Sequence, residues 1–150
     1  MPRSDTFETL QVPSELEQMV ALYRQERPAR VLEIGCWDGG TLKVWLQEAE
    51  PELVVAVDLW HRNSDAYEEW RKPATVLRLF TGQSQEQDQV GSMQAHAPYD
   101  WAFVDGDHGD WGAREDVRNV LPLVRPGGLD RKSTRLNSSH IQKSRMPSSA

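Results

Sequence analysis

The chain has 150 residues, a formal charge of −6 and a single cysteine, Cys36. That length allows one domain with a real core. The cysteine count excludes a disulfide framework or a cysteine-built metal cluster within the chain, and the negative charge argues against nucleic acid or an anionic membrane as partner. A small neutral or cationic ligand fits better. No apolar run approaches the ~20 residues of a membrane helix, and the polar opening MPRSDTFETLQ lacks a signal-peptide core, so a cytoplasmic location is expected.

The elements alternate along the chain. Ser14 is the expected N-cap of a first helix, with Glu17 as its capping-box partner and Leu16, Met19, Val20 and Tyr23 at helical spacing; it should end before Pro28. Arg30 to Gly35, RVLEIG, is a short apolar run closed by glycine and predicts a buried strand. Thr41 to Ala49 follows as a helix with Leu42, Trp45 and Leu46 on one face. LVVAVDLW, Leu53 to Trp60, is nearly continuous in apolar character, the pattern of a parallel strand covered on both faces. A helix over Ser64 to Trp70, a strand over Thr75 to Gly82, a polar helix over Ser84 to Ala95, a strand over Tyr99 to Gly106 and a helix over Trp111 to Leu123 complete the pattern. An N-terminal helix followed by βαβαβαβα predicts an α/β fold with a doubly wound parallel sheet.

In such sheets ligands bind outside the carboxyl ends of the strands, where strand order reverses. The first of those ends reads LEIGCWDGGT. Gly35 and Gly39 permit a sharp strand-to-helix turn and a close ligand approach, but glycine geometry alone would also account for them. The spacing E-x-G-x-x-x-G, with Glu33 in the strand end, departs from the dinucleotide fingerprint G-x-G-x-x-G; a carboxylate beside the loop would repel a pyrophosphate and suits a cationic amino-acid end. Asp58 closes the second strand 23 residues after Gly35, where an acid can accept hydrogen bonds from ribose hydroxyls. At the third end, Gly82, Gln83 and Ser84 could meet a base edge or simply serve the turn. At the fourth, FVDGDHGDW gathers Asp105, Asp107 and His108, groups able to position a hydroxyl, take its proton or hold a cation, or else to cap the next helix.

Taken together, LEIGCWDGGTL, the Asp58 of VVAVDLW, TGQS, FVDGDHGDW and LPLVRPGG resemble, in order and spacing, the motifs of class I S-adenosylmethionine-dependent methyltransferases. The similarity runs from about Ser14 to Leu129, and points to the branch with a DGDH-type fourth-strand motif, which includes small-molecule and sugar O-methyltransferases. The resemblance implies a Rossmann-like methyltransferase fold and S-adenosyl-L-methionine as cofactor. It implies that Glu33, Gly35 and Gly39 line the methionine and ribose part, that Asp58 holds the ribose hydroxyls, and that Gln83 and Ser84 flank the adenine. Asp105 matches a position that binds a divalent metal in cation-dependent members. His108 falls where those enzymes place a lysine base, so His108 and Asp105 are the candidate catalytic residues. The implied partner is a small-molecule methyl acceptor.

The family fold has seven strands, whereas periodicity here supports about four. After Gly128 the composition changes: residues 130 to 150 carry five basic residues against one acid, and setting that surplus of four aside takes the remainder from −6 to −10. Asp130 to His140 back-translates into codons resembling a widely used short-read sequencing adapter. Ser144 to Ala150 resembles its downstream part, and Ile141-Gln142-Lys143 would span a sample index. The expected organisation is therefore a partial methyltransferase domain over 1–129, truncated after about four strands, and a non-native, disordered tail over 130–150; a basic nucleic-acid-binding tail is the rival reading. On that expectation the fourth strand, with Trp101 and Phe103, becomes an unprotected edge and the chain is impaired. Two other functions stay open: a nicotinamide-binding Rossmann oxidoreductase, and a non-catalytic module that kept the cofactor fold.

Overall fold

The computed structural model describes residues 13–105, 110–132 and 140–143. Its elements in chain order are α1 (Pro13–Glu26), β1 (Arg30–Ile34), α2 (Gly40–Gln47), β2 (Leu53–Asp58), α3 (Ser64–Trp70), β3 (Val76–Thr81), α4 (Gln87–Ala95), β4 (Tyr99–Val104), α5 (Asp110–Val120), a 3-10 turn (Leu121–Leu123), β5 (Val124–Lys132) and β6 (His140–Lys143). Helix α1 starts one residue before the expected cap, with Pro13 in its first turn, where a missing N–H costs nothing.

The strands form one sheet in the order β3-β2-β1-β4-β5-β6. The first five run parallel, and β6 returns antiparallel to β5. Alternation along each central strand sends side chains to two cores, because successive residues of a strand face opposite ways. Val31, Val54, Ala56, Trp101 and Phe103 point to one face, where they meet Met19 and Tyr23 of α1, Trp45 of α2 and Tyr67 of α3. Leu32, Ile34, Val55, Val57, Ala102 and Val104 point to the other, against Met93 of α4 and Val120 of α5. This two-sided burial is why β1 and β2 read as continuous apolar runs.

The first core is aromatic. Tyr23, Trp45 and Trp101 lie with ring centroids 4.7 to 5.4 Å apart, and Phe103 joins at 5.8 Å from Trp45. Tyr23 also donates its hydroxyl to the Trp45 carbonyl at 2.8 Å, tying α1 to α2.

The expectation of about four strands is corrected. Strand β4 is not an edge: it pairs with β1 on one side and β5 on the other, and Trp101 and Phe103 are buried. Tyr99 faces Val124 and Trp101 faces Leu129, so two steps along β4 match five along β5, and the Pro126–Gly128 stretch bulges out with Gly127 at φ +83°. The fifth strand leaves no apolar period in the sequence, because strand pairing asks only for an extended main chain with free N–H and C=O groups. Of the tail expected over 130–150, residues 130–132 and 140–143 are paired in this sheet and the rest lie outside the described residues.

The amino ends of the strands are pinned by Asp100. Its Oδ2 accepts the backbone N–H groups of Ala29 and Arg30, each at 2.9 Å, while Oδ1 is paired with the Arg125 guanidinium. No helix among the described residues is long and apolar enough to cross a membrane.

Candidate functional site

Strand order reverses between β1 and β4, since β2 leaves β1 to one side and β4 lies on the other. The crevice at their carboxyl ends is the expected ligand position in such a sheet. It opens between the β1–α2 loop, Gly35 to Gly39, and the end of β4, where Asp105 donates its backbone N–H to the Ile34 carbonyl at 2.8 Å.

Gly35 and Gly39 sit at φ +84° and +88°, which favours glycine. The Gly35 N–H extends the ladder to the Val57 carbonyl at 2.8 Å, and the Gly39 N–H closes a turn onto the Cys36 carbonyl at 2.7 Å. Gly39 has a second constraint: a Cβ there would lie 2.5 Å from Cε1 of Tyr67, so α3 packs on the bare backbone. Between the two glycines, Trp37 is held at φ +50°, an uncommon conformation for a bulky residue.

Asp58 organises this loop. Its Oδ2 accepts the N–H groups of Cys36 at 2.8 Å and Trp37 at 3.0 Å, and its Oδ1 accepts that of Leu59 at 2.6 Å. The side chain is partly buried, and it has no cationic partner among the described residues. The second strand end is tied to the same loop by Asn63, whose Nδ2 donates to the Asp38 carbonyl at 2.8 Å. Arg62 lies over the Trp37 ring, 3.9 Å from its centroid, and 5.4 Å from that of Trp60.

Glu33 lies beneath the loop and is fully buried. The Thr41 hydroxyl and the Trp45 indole N–H, the latter at 3.2 Å, both donate to its Oε1. Its Oε2 is buried without a hydrogen-bond partner. Burial pushes the carboxyl up to about 8; the Thr41, Trp45 and Cys36 side chains pull it back only in part, and the Asp105 carboxylate adds to the rise. Burial also pushes the Cys36 thiol well up, with Glu33 and Asp58 as further causes, so it is an inert, protonated group.

The remaining candidates divide. Gln83 is exposed, and its backbone N–H donates to Glu86 Oε1 at 3.1 Å, a turn contact. Ser84 is buried and donates its hydroxyl to Asp116 of α5 at 2.5 Å. The Gly82 N–H in the same turn donates to the Asp58 carbonyl at 2.9 Å, so the third strand end joins the second. His108 and Asp107 lie outside the described residues. Among the described residues no group of three or more His, Cys, Asp or Glu gathers where it could hold a metal.

The structure thus brings Gly35, Gly39, Asp58 and Asp105 together at the carboxyl ends of the strands, buries Glu33 beneath the glycine loop against α2, and turns Ser84 away towards α5. The sequence reading missed Thr41 and Trp45 as partners of Glu33, and missed Asp116. For the first pair a signal exists: the two donors are four residues apart on α2, hence on one face. For Asp116 the signal is an acid on the stripe formed with Ala113 and Val120, where an apolar residue is expected.

What stands at the crevice is a pair of acids, Asp58 at the end of β2 and Asp105 at the end of β4, with Glu33 buried beneath the glycine loop. Such a lining binds hydroxyl and ammonium donors and repels phosphate.

Comparison with known proteins gives the same direction. Residues 32–129 match a family model described as "Methyltransferase domain". Demethylmacrocin O-methyltransferase of Streptomyces fradiae is 30% identical over 115 residues, covering 71% of this chain. The match covers 27% of that relative, so the chain spans little more than a quarter of its length. A methyltransferase from the mycinamycin biosynthetic pathway, solved in complex with Mg and SAH, superposes with a TM-score of 0.61 at 24% identity, over 77% of this chain and 30% of that one. An O-methyltransferase from Bacillus cereus in complex with SAH gives 0.67 at 18% identity, over 86% and 60%. At these identities the two structures share the fold.

Proposed function

Because the chain belongs to the methyltransferase-domain family, we propose that it carries the cofactor half of an S-adenosylmethionine-dependent O-methyltransferase acting on a small molecule or sugar. The observation that supports this most is Asp58. Its carboxylate closes β2, orders the glycine loop through Cys36 and Trp37, and has no cation to neutralise it among the described residues. An acid so placed is suited to accept a ribose hydroxyl at its remaining acceptor site.

The residues present fit such a cofactor by the chemistry of the donor set. S-adenosylmethionine carries an ammonium, a sulfonium and a ribose diol, all of them served by acceptors. Asp58 would take the ribose, the Gly35–Gly39 loop would lie against the methionine end with Glu33 below it, and Gln83 with the Ser84 turn would stand beside the adenine. The cofactor supplies an electrophilic methyl group bound to sulfur. The protein's part is to orient the acceptor hydroxyl and to relieve it of its proton, tasks for which Asp105 and His108 are the candidates. A divalent metal, if used, would fall to Asp105 with groups outside the described residues. The O-methyltransferase named for demethylmacrocin supports a small, oxygen-bearing acceptor over nucleic acid or membrane. A cytoplasmic site of action belongs to the same reading.

Residues 130–150 are, on this proposal, a non-native continuation, and the 150-residue chain is impaired relative to the natural gene product. Main-chain pairing of β5 and β6 is compatible with that, because it does not depend on which side chains are present. Sequencing the reading frame from an independent source tests it: a natural continuation with the same residues after Leu129 would refute the claim.

Calorimetric titration with S-adenosylhomocysteine tests the cofactor reading. Binding with micromolar affinity by the chain, or by its natural extension, is the expected result; no binding by either, together with fluorescence enhancement of added NADH, would transfer the site to nicotinamide chemistry.

A further inference from the structure

The turn between β3 and α4 and the helix α5 meet at one buried carboxylate. Asp116 is fully buried on α5. Its Oδ1 accepts the Ser84 hydroxyl at 2.5 Å and the Gln85 side-chain amide at 3.2 Å. The same Gln85 Nε2 reaches the Gly112 carbonyl of α5 at 3.3 Å. Two successive side chains of the turn are therefore committed to α5.

Packing alone does not call for an acid here. A buried carboxylate is costly unless its lone pairs are used, and the flanking stripe residues Ala113 and Val120 are apolar and buried. What an acid adds is a pair of acceptor oxygens able to hold two donors from a segment more than thirty residues away. On one side, Ser84 follows Gln83 and lies two residues from Gly82, whose N–H is bonded to the Asp58 carbonyl at 2.9 Å. On the other, α5 starts at Asp110, directly after the segment carrying Asp107 and His108. Asp116 thus stands between the cofactor-side turn and the helix that follows the acceptor-side loop.

We propose that Asp116 is a positioning residue: through Ser84 and Gln85 it fixes the β3–α4 turn against α5, and so sets the adenine end of the cofactor site. This rests on the methyl-transfer reading above. Loss of the grip frees the turn while the apolar contacts of Met93 and Val120 still hold α4 and α5 against the sheet.

The test is calorimetric titration of S-adenosylhomocysteine into the wild-type chain, Ser84→Ala, Ser84→Thr and Asp116→Asn, each with its melting temperature recorded. Ser84→Ala is expected to weaken binding about tenfold, the worth of one buried hydrogen bond. Asp116→Asn should do at least as much, the double variant little more than either single, and Ser84→Thr, which keeps the hydroxyl, should restore most of the affinity. A purely structural residue would lower the melting temperature and leave the affinity of the folded protein unchanged; that result overturns the proposal while the wild type still binds and the cofactor reading stands. If Asp116→Asn does not fold, Ser84→Ala against Ser84→Thr decides alone. Failure of the wild type itself to bind overturns the cofactor reading, and this inference with it.

Discussion

Asp58 and Asp100 use the same local device at opposite ends of the sheet. Each offers Oδ2 to two consecutive backbone N–H groups, those of Cys36 and Trp37 for Asp58 and those of Ala29 and Arg30 for Asp100. They differ in what meets the second oxygen. Asp100 has the Arg125 guanidinium, so its charge is neutralised within the protein. Asp58 has the Leu59 N–H and, among the described residues, no cation. One carboxylate completes the fold at the amino ends of the strands; the other holds a loop in place at the carboxyl ends. What separates the two aspartates is the presence or absence of a neutralising partner among the described residues, not the hydrogen bonds they make to the backbone.

Asp58→Ala should break this contrast most. Without the acceptor and the loop order it imposes, S-adenosylhomocysteine binding is expected to fall at least ~100-fold, roughly 3 kcal/mol, measured by calorimetry; a loss below threefold would count against the assignment. Asp100→Ala should do the reverse. Two part-buried N–H groups lose their acceptor, at a cost of about 2 kcal/mol in urea unfolding, while cofactor affinity of the folded protein stays within about twofold, since the residue lies at the far ends of the strands.

The buried acid between them gives a pH signature. Glu33 has its folded value pushed up to about 8 from an ordinary 4.5. The folded state thus keeps a proton that the unfolded state releases, so stability is full below the unfolded value and declines as pH rises from about 4.5 towards 8. Glu33→Gln should flatten that decline by roughly 1 to 2 kcal/mol between pH 5 and 8, read from melting temperatures; an unchanged slope would assign the decline to another group. The smallest effect belongs to Arg125→Gln. With the guanidinium half exposed, the pair is worth at most ~1 kcal/mol and should weaken further in high salt.

Much of this was legible before any coordinates. The strands β1, β2 and β4 appear as apolar runs because both faces are covered, and Gly35, Gly39 and Asp58 appear because a tight turn and an acid at a strand end leave residue-specific marks. The fate of Glu33 and Ser84 was not legible. Both were expected to face the cofactor, yet Glu33 is buried under Thr41 and Trp45, and Ser84 turns to a partner 32 residues along the chain. Periodicity reports the face of an element, not the atom that waits across it. Strand β5 was hidden for another reason: its pairing with β4 is a matter of main chain, and Arg125-Pro126-Gly127-Gly128 carries no alternation to betray it.

The sequence by itself determined the alternating α/β order and the acidic, glycine-bearing carboxyl ends, since both follow from local pattern and residue chemistry. Only the tertiary structure decided the strand order that opens the crevice between β1 and β4, and which carboxylates are buried and which are neutralised. Those outcomes depend on groups brought together from distant parts of the chain, where burial and the presence or absence of a counter-charge set the energy of each ionised group.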